Sequence, residues 1–334
     1  MKHASMKLLE CLISKIPIGL WSRVCIKIYS VMRWKKSGRK VESILRLISL
    51  KFRSTSKRLS QIEIEKQIGQ GGFGLVYAAT WKGSPIAFKK LIVQELTKKI
   101  QKRLVQEIKI FSMLEHPNVV KMFGVVLDPK NIGIVMEYVP KTLFHTMFIE
   151  EVSFTVTEKM KLLGEVLSAI AYLHSKDIAH CDIKCQNVLL DCDNLAKICD
   201  FGISIIKSST EISSSAAAAA PPGQGTPRYS APEVLRGELL SLAELKMTDI
   251  YSLSLVIYEV LVEEEVYENL KLLQLMEHVG NKHLRPTLEG TGIPKPVREL
   301  LAECWIKKAS SRPLINTLVK KWAEVDLKSF QLET

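Results

Sequence analysis

The feature that most constrains this chain is a run of glycines between two short apolar segments. It reads Ile68-Gly69-Gln70-Gly71-Gly72-Phe73-Gly74-Leu75-Val76, which has the spacing G-x-G-x-x-G-x-V. Glycine has no side chain to hold a phosphate away, so the backbone can approach it closely. A dinucleotide-binding turn has similar glycines, but a helix follows that turn directly, whereas Val76-Tyr77-Ala78 continues as a strand. The pattern therefore predicts a β-hairpin that covers a nucleotide.

The hairpin opens a strand-rich part of the chain, and a helix-rich part follows it. Strand composition and turn signals predict strands at Ile62–Ile68, Leu75–Trp81, Ile86–Leu91, Val119–Leu127 and Ile132–Tyr138. Helical periodicity predicts helices at Glu95–Leu114, Thr157–Ser175, Met247–Val262, Leu270–Val279 and Pro296–Trp305. Strands followed by helices indicate an α+β protein with two lobes. The Ser/Ala/Pro/Gly-rich stretch Ser208–Gly225 predicts a loop.

Charge is distributed unevenly along the 334 residues, whose net charge is +12. Residues 1–60 hold 9 Lys and 6 Arg against 2 Glu, and the rest of the chain is nearly balanced. A nucleic-acid partner is therefore not expected for the folded part. Within 1–60, Val41–Phe52 places apolar residues at helical spacing between basic ones. Such a segment predicts binding to an anionic membrane surface or a regulatory partner, or else an extension packed on the main domain, helical or partly disordered.

Cysteine usage and apolar runs indicate the compartment. The 7 cysteines are an odd number and form no C-x-x-C pair. Charged residues interrupt positions 1–20, where a secretory signal would be apolar. No uncharged apolar run approaches the roughly 18 residues that cross a bilayer. These patterns predict reduced thiols and a cytoplasmic location, with residues 1–60 as the means of any peripheral attachment to a membrane.

A lysine in the third predicted strand is a candidate phosphate ligand. In Ile86-Ala87-Phe88-Lys89, the residues Ala87 and Lys89 point to the same face of the strand. A small residue beside the lysine leaves room for adenine while the ammonium group reaches the phosphates. The lysine needs a carboxylate to hold it, and Glu107 on the following helix is the preferred partner. Glu95 is the alternative, although acids are common at a helix start for electrostatic reasons.

Three further motifs complete a set that resembles a known family. They are His180-Cys181-Asp182-Ile183-Lys184-Cys185-Gln186-Asn187, Asp200-Phe201-Gly202 and Ala231-Pro232-Glu233. With the glycine turn and the strand lysine, and in this order, they resemble the motifs of eukaryotic protein kinases.

The resemblance to kinases covers residues 62–323 and implies their two-lobed α+β fold. The N-lobe, about 62–139, would hold an antiparallel sheet and one main helix, and the C-lobe, about 140–323, would be mostly helical. Residues 1–60 would then be a basic leader, and residues 324–334 a short tail.

The resemblance implies a role for each residue of the catalytic motifs. Kinases pass the γ-phosphate of Mg-ATP to a protein hydroxyl, mainly by positioning groups and neutralising charge. By similarity, Asp182 would accept the hydroxyl proton and Lys184 would steady the γ-phosphate. Asn187 and Asp200 would coordinate Mg²⁺, which prefers oxygen ligands.

The resemblance also implies an ATP-binding set. Lys89, oriented by Glu107, would hold the α- and β-phosphates. Met136 would be the gatekeeper residue behind the adenine, and backbone groups near Glu137 and Val139 would hydrogen-bond the purine. The remaining members would sandwich the purine or cover the phosphates: Val76, Ala87, Leu189 and the glycine turn Ile68–Leu75.

Further matches to the kinase family concern the structural support of the motifs and the specificity for the substrate hydroxyl. Asp249 resembles the buried helix acid that braces the catalytic loop of kinases, and Arg312 resembles the structural partner of Glu233. Lys184 and the stretch Gly225-Thr226-Pro227-Arg228-Tyr229 resemble the serine/threonine-specific pattern. The Cys304-Trp305 segment resembles the tyrosine-kinase-like branch, which is mostly serine/threonine-specific. The resemblance therefore implies a serine/threonine kinase acting on proteins.

One departure from the family pattern bears on regulation. Cys181 replaces the arginine that binds an activation-loop phosphate in most kinases, and a thiol cannot supply that charged fork. We therefore expect activity that does not depend strongly on a phosphate at this position. The alternative function is a pseudokinase or nucleotide-binding scaffold. Retention of all the catalytic residues favours an active enzyme.

Overall fold

The structure is a computed structural model that describes residues 62–71, 74–91, 106–128, 131–206 and 225–331. The predicted leader 1–60 and nearly all of the predicted loop Ser208–Gly225 lie outside these residues. The described residues form two compact units. Within the described ranges, the first unit holds residues 62–113 and 121–138, and the second holds residues 114–120, 139–206 and 225–331.

The first unit contains a five-stranded antiparallel sheet with the strand order β1-β2-β3-β5-β4. Its strands are β1 (Ile62–Gly71), β2 (Gly74–Trp81), β3 (Ser84–Leu91), β4 (Met122–Asp128) and β5 (Asn131–Glu137). The predicted strands are therefore confirmed, although β4 begins later than predicted. Val119 belongs to the second unit instead, where it forms an isolated parallel bridge with Ile198.

One face of this sheet carries an apolar cluster. Its buried members are Ala79, Ile86, Phe88, Val126 and Val135. Gly133 in β5 permits a close approach of neighbouring strands. A Cβ atom there would lie 2.3 Å from the carbonyl oxygen of Lys89 and 2.7 Å from the Phe88 ring. Any side chain at this position would therefore push β3 and β5 apart.

The helix predicted at Glu95–Leu114 is described only in its last part. Residues 106–111 are helical, and a turn at 112–113 ends the helix before Leu114. Ile108, Ile110 and Phe111 are buried. Residues 92–105 lie outside the described residues, and this includes Glu95, the alternative partner of Lys89.

The second unit is mostly helical, as predicted. Its helices are α1 (Leu143–Phe148), α2 (Val156–Ser175), α3 (Pro232–Leu235), α4 (Leu242–Val262), α5 (Leu272–Gln274), α6 (Lys295–Cys304) and α7 (Ile315–Ala323). Short strands accompany them: β6 (Lys141–Thr142), β7 (Ile178–Ala179), β8 (Val188–Leu190), β9 (Ala196–Ile198) and β10 (Ile205–Ile206). They pair as β6-β8-β9 and β10-β7.

Helix α4 lies at the centre of the second unit. It is apolar on most faces, and most of its residues are buried. Helices α2 and α6 pack against it, and α7 packs against α2. A helix that is apolar all round is stable only when neighbours cover every face. Helix α4 is therefore the scaffold on which the functional loops of this unit can be fixed.

Two segments differ from prediction in detail. The helix predicted at Leu270–Val279 is a short α-helix, α5, that continues as the π-helical turn Leu275–Asn281. In the predicted tail 324–334, Leu327–Gln331 forms a 3₁₀ turn, and residues 332–334 lie outside the described residues. Among the helices of the described ranges, none combines the length and the apolar character needed to cross a membrane.

Candidate active site

In the first unit, Lys89 and Glu107 form a buried ion pair. The Nζ atom of Lys89, on β3, lies 2.9 Å from Oε1 of Glu107, on the helical segment 106–111. Each side chain is only 6% exposed. A buried charge is costly unless it is paired, so each member of the pair requires the other. The structure thus brings together the lysine and the carboxylate that the sequence pairs.

The face of the sheet opposite the apolar cluster carries four of the predicted ATP-binding residues. Val76 lies opposite Lys89 across the β2–β3 pair, and Ala87 lies opposite Met136 across the β3–β5 pair. Directly opposed residues of a sheet share a face, as do residues two apart in one strand. Val76, Ala87, Lys89 and Met136 therefore form one continuous patch of small, apolar and cationic character.

Glu137, the residue after Met136, uses its backbone N–H for a hydrogen bond within the first unit. The backbone N–H of Glu137 donates to the carbonyl oxygen of Lys121 at 2.8 Å, and the Glu137 carboxylate accepts from the Lys121 N–H at 3.1 Å. Since its N–H is already bonded, Glu137 can offer a purine only its carbonyl oxygen. In the second unit, Val139 is buried and Leu189, on β8, is partly buried.

The glycine turn is the tip of a hairpin, as predicted. Gly69 pairs with Val76, Gln70 with Leu75 and Gly71 with Gly74. Ile68 is 40% exposed at the start of this segment. Gly72 and Phe73 lie outside the described residues.

In the second unit, the carboxylate of Asp182 is the centre of a hydrogen-bond network. Lys184 Nζ lies 2.9 Å from Asp182 Oδ2. Asn187 Nδ2 donates to the same Oδ2 at 3.0 Å and to the Asp182 carbonyl oxygen at 2.8 Å. The 3₁₀ turn Cys185–Asn187 folds the chain back so that Asn187 reaches Asp182. Three predicted site residues therefore meet within one short loop.

Thr226 completes the network around Asp182. Its backbone N–H donates to Asp182 Oδ1 at 3.0 Å, its hydroxyl lies 3.2 Å from the same oxygen, and Lys184 Nζ donates to that hydroxyl at 2.6 Å. Gly225 makes this approach possible. Its φ is +95°, and a Cβ atom there would lie 3.2 Å from the Cys181 carbonyl oxygen. The sequence associates Thr226 with specificity, but nothing in the spacing predicts its contact with Asp182.

Asp249 of α4 holds the backbone just before Asp182. Its Oδ2 accepts from the His180 N–H and its Oδ1 from the Cys181 N–H, both at 2.8 Å. His174 Nε2 lies 2.9 Å from Oδ2. The backbone of Cys181 has a φ of +66°, a left-handed conformation that residues other than glycine rarely adopt. The hydrogen bonds to Asp249 stabilise this conformation. The contact with His174 is not visible in the sequence, because no motif includes that residue.

The strand pair β8–β9 brings Asn187 and Asp200 to one end of the same hairpin. Asn187 precedes β8 and Asp200 follows β9, and the Cys199 N–H donates to the Asn187 carbonyl oxygen at 3.0 Å. Asp200 is itself left-handed, with a φ of +61°, and its Oδ1 accepts from the Gly202 N–H at 3.3 Å. Carboxylate and amide oxygens are ligands that suit a hard divalent cation. Because the Asn187 amide hydrogens face Asp182, its Oδ1 is the atom that would hold such a cation.

The predicted structural pair Glu233–Arg312 is present and buried. Arg312 Nη1 and Nη2 lie 2.6 and 2.9 Å from the two carboxylate oxygens of Glu233, which is bidentate geometry. Arg312 Nη1 also donates to the Met247 carbonyl oxygen at 3.0 Å. Glu233 lies in the Ala-Pro-Glu motif, so the pair anchors that motif to α4 at Met247.

Cys181 is a neutral thiol in a confined place. Burial is the main cause that raises its pKa, and the nearby carboxylates of Asp249 and Asp182 raise it further. With Thr226, Thr248 and Ser252 it lines a small pocket of about 20 Å³. That volume holds about one water molecule. The thiol therefore carries no charge with which to bind a phosphate.

The chain matches the family described as "Protein kinase domain" over residues 62–322. It belongs to the protein kinase family. Members of this family use ATP and divalent metal ions.

Several named serine/threonine kinases are similar to this chain. Probable serine/threonine-protein kinase drkA of Dictyostelium discoideum is 30% identical over 80% of this chain and 40% of its own length. Probable serine/threonine-protein kinase drkB of the same organism is 29% identical over 91% of this chain and 45% of its own length. Serine/threonine-protein kinase CTR1 of Arabidopsis thaliana is 32% identical over 77% of this chain and 31% of its own length. This chain thus spans less than half the length of these relatives.

Proposed function

We propose that this kinase is an active enzyme that transfers the γ-phosphate of Mg-ATP to serine and threonine hydroxyls of protein substrates. The observation that carries the proposal is the network around Asp182, which joins Lys184, Asn187 and Thr226 to one carboxylate. A catalytic carboxylate must be held in place, and a cation and several hydrogen-bond donors accomplish this.

The proposed mechanism assigns one task to each residue. Asp182 accepts the proton of the substrate hydroxyl and aims its oxygen at the γ-phosphorus. Lys184 neutralises charge on the γ-phosphate, and Lys89, held by Glu107, does so on the α- and β-phosphates. Mg²⁺, held by Asn187 and Asp200, supplies further neutralisation of phosphate charge when bound.

We assign the nucleotide base to the remaining predicted ATP-binding residues. The patch of Val76, Ala87 and Met136 offers apolar contact, while the Glu137 carbonyl and the backbone near Val139 offer hydrogen bonds. Support comes from the shared sheet face of the first three residues. The glycine turn and Leu189 complete the set.

Specificity for serine and threonine is supported by two observations. The drkA, drkB and CTR1 relatives are all named serine/threonine kinases. In addition, the hydroxyl of Thr226 occupies a place beside Asp182 and Lys184. We propose that the chain belongs to the tyrosine-kinase-like branch of the family.

The test is a phosphate-transfer assay with radiolabelled ATP and phosphoamino-acid analysis. Asp182→Asn keeps one acceptor oxygen, which can serve Thr226 or Asn187 but not both, and its amide is a far weaker base. We therefore expect transfer to fall roughly a hundredfold or more. Asp193→Asn, an exposed change in a turn, is the matched control. Phosphoserine and phosphothreonine should be the products.

The opposite outcome would favour a nucleotide-binding scaffold. If the wild type binds Mg-ATP by calorimetry but transfers no more phosphate than Asp182→Asn, the enzyme proposal is wrong and the pseudokinase alternative stands. Phosphotyrosine as the main product would contradict the assigned specificity.

We further propose that the kinase acts in the cytoplasm and that residues 1–60 bind an anionic membrane surface or a regulatory partner. The excess of 15 basic over 2 acidic residues in this segment supports the proposal, since such segments are attracted to anionic surfaces. Deleting residues 1–60 should redistribute a fluorescently tagged chain in cells. An unchanged distribution would count against a role in localisation.

A further inference from the structure

A buried acid of α4, Glu259, has contacts that the proposed mechanism does not use. Its residue exposure is 0%. Its Oε2 accepts hydrogen bonds from the Cys185 thiol at 3.0 Å and from the Tyr229 hydroxyl at 2.7 Å, and its Oε1 accepts from the Val266 N–H at 3.0 Å. Three segments that are distant in sequence therefore meet on one carboxyl group.

The two side-chain partners of Glu259 adjoin the residues that contact Asp182. Cys185 directly follows Lys184 and begins the turn that carries Asn187. Tyr229 ends the 3₁₀ turn Pro227–Tyr229, which Thr226 precedes. A shift of Cys185 would therefore move Lys184, and a shift of Tyr229 would move Thr226.

Both side-chain partners of Glu259 act as hydrogen-bond donors. The Cys185 thiol and the Tyr229 phenol each carry one hydrogen that can be donated to Glu259. Burial raises the pKa of the Tyr229 phenol, so it stays protonated. The charged groups nearby are Glu265, which acts unfavourably on Glu259, and Arg228, which pairs with Glu265. An apolar residue would be easier to bury among the apolar side chains of α4 than a carboxyl group. The hydrogen bonds, rather than packing, account for an acid here.

We propose that Glu259 is a positioning residue for Asp182. It holds the turn carrying Lys184 and the segment carrying Thr226 on one carboxyl group, and so fixes both relative to the Asp182 carboxylate. Asp249 holds the backbone before Asp182 and Glu259 holds the chain after it, from the same helix. The inference rests on the proposed kinase activity, in which Asp182 accepts the hydroxyl proton.

The test uses steady-state kinetics to measure separately the effects of the Cys185 bond and the Tyr229 bond to Glu259. Cys185→Ala removes one donor and should lower kcat about tenfold, the equivalent of about one hydrogen bond. The KM for ATP should change less than about twofold, because the base and the α- and β-phosphates are assigned to residues that Glu259 does not contact. Cys185→Ser should restore most of the loss, because a hydroxyl still donates to Glu259.

Tyr229→Phe removes the second side-chain donor to Glu259 and should lower kcat by a similar factor. Both changes act through one carboxyl group, so the double variant should lose less than the product of the single losses. Ser254→Ala is the matched control. It removes a buried hydrogen bond within α4, from the Ser254 hydroxyl to the Tyr251 carbonyl oxygen, without touching the catalytic loop.

Two outcomes would overturn the proposal: an unchanged kcat in Cys185→Ala, or a loss that Cys185→Ser does not restore. If the wild type transfers no phosphate, the proposed function fails. Amide hydrogen exchange then tests, independently of activity, whether Glu259 positions the two segments. Tyr229→Phe should accelerate exchange in residues 182–187 and 225–230 but not in α4. Unchanged exchange in those two segments would show that Glu259 does not position them.

Discussion

At the scale of single residues, the second unit depends on buried acids that each have assigned donors. Asp249 accepts from two backbone N–H groups, Glu233 from a guanidinium group, and Glu259 from a thiol, a phenol and an amide. A buried carboxyl group without such donors would cost several kcal/mol. The three acids therefore each hold separate segments of the second unit through their own donors.

Glu259 should make the stability of this kinase pH-dependent. Burial, the largest cause, raises its pKa from 4.5 to about 7, although the bonds from Cys185, Tyr229 and Val266 oppose the rise. Between these two values the folded state holds a proton that the unfolded state has lost. The free energy of unfolding therefore falls as pH rises from about 4.5 to about 7, by about 3 kcal/mol for this group.

The measurement is urea unfolding between pH 5 and pH 8 for the wild type and Glu259→Gln. An amide does not titrate, so the variant should lose less stability over this range than the wild type. Ser254→Ala controls for loss of a buried hydrogen bond in the same helix. Parallel pH curves for wild type and Glu259→Gln would contradict the raised pKa.

At the scale of secondary-structure elements, local sequence signals predict the main strands and helices, and several of the differences lie at element boundaries. Strand composition and turn signals predict the five strands of the sheet in the first unit, and the 3.6-residue period predicts the main helices of the described residues. Helix α4 begins at Leu242 rather than at Met247. The reason is a capping box: Ser241 and Glu244 bond reciprocally to each other's backbone N–H, and this Ser-x-x-Glu signal is present in the sequence. The π-helical turn Leu275–Asn281 has no comparable local signal.

The capping box gives a prediction for the stability of α4. Ser241→Ala removes the acceptor for the Glu244 N–H and should cost about 1 kcal/mol in urea unfolding. Ser241→Asp should retain most of the stability, because a carboxylate also accepts at this position and favours the helix N-terminus. If Ser241→Ala unfolds at the wild-type urea concentration, the cap does not stabilise α4.

At the scale of the whole molecule, motif order identifies the family, but chain geometry decides which residues support the site. Five short motifs predict Lys89, Asp182 and Asp200, because kinase chemistry restricts those positions. Thr226 and Glu259 contact partners more than forty residues away, and no spacing rule connects such positions. Supporting residues of this kind require the folded chain to be seen.

The last prediction concerns how the whole kinase is controlled. A kinase that needs an activation-loop phosphate must bind it with a cation, and Cys181 is a partly buried neutral thiol in the place of the usual arginine. Thr226 is already bonded to Asp182 and Lys184 through groups that need no phosphate. We therefore expect phosphatase treatment of the purified protein to leave kcat within about twofold of a mock treatment with heat-inactivated phosphatase. Loss of activity on dephosphorylation, with recovery when Thr226 or a nearby loop residue is phosphorylated again, would show that a site other than Cys181 reads the phosphate.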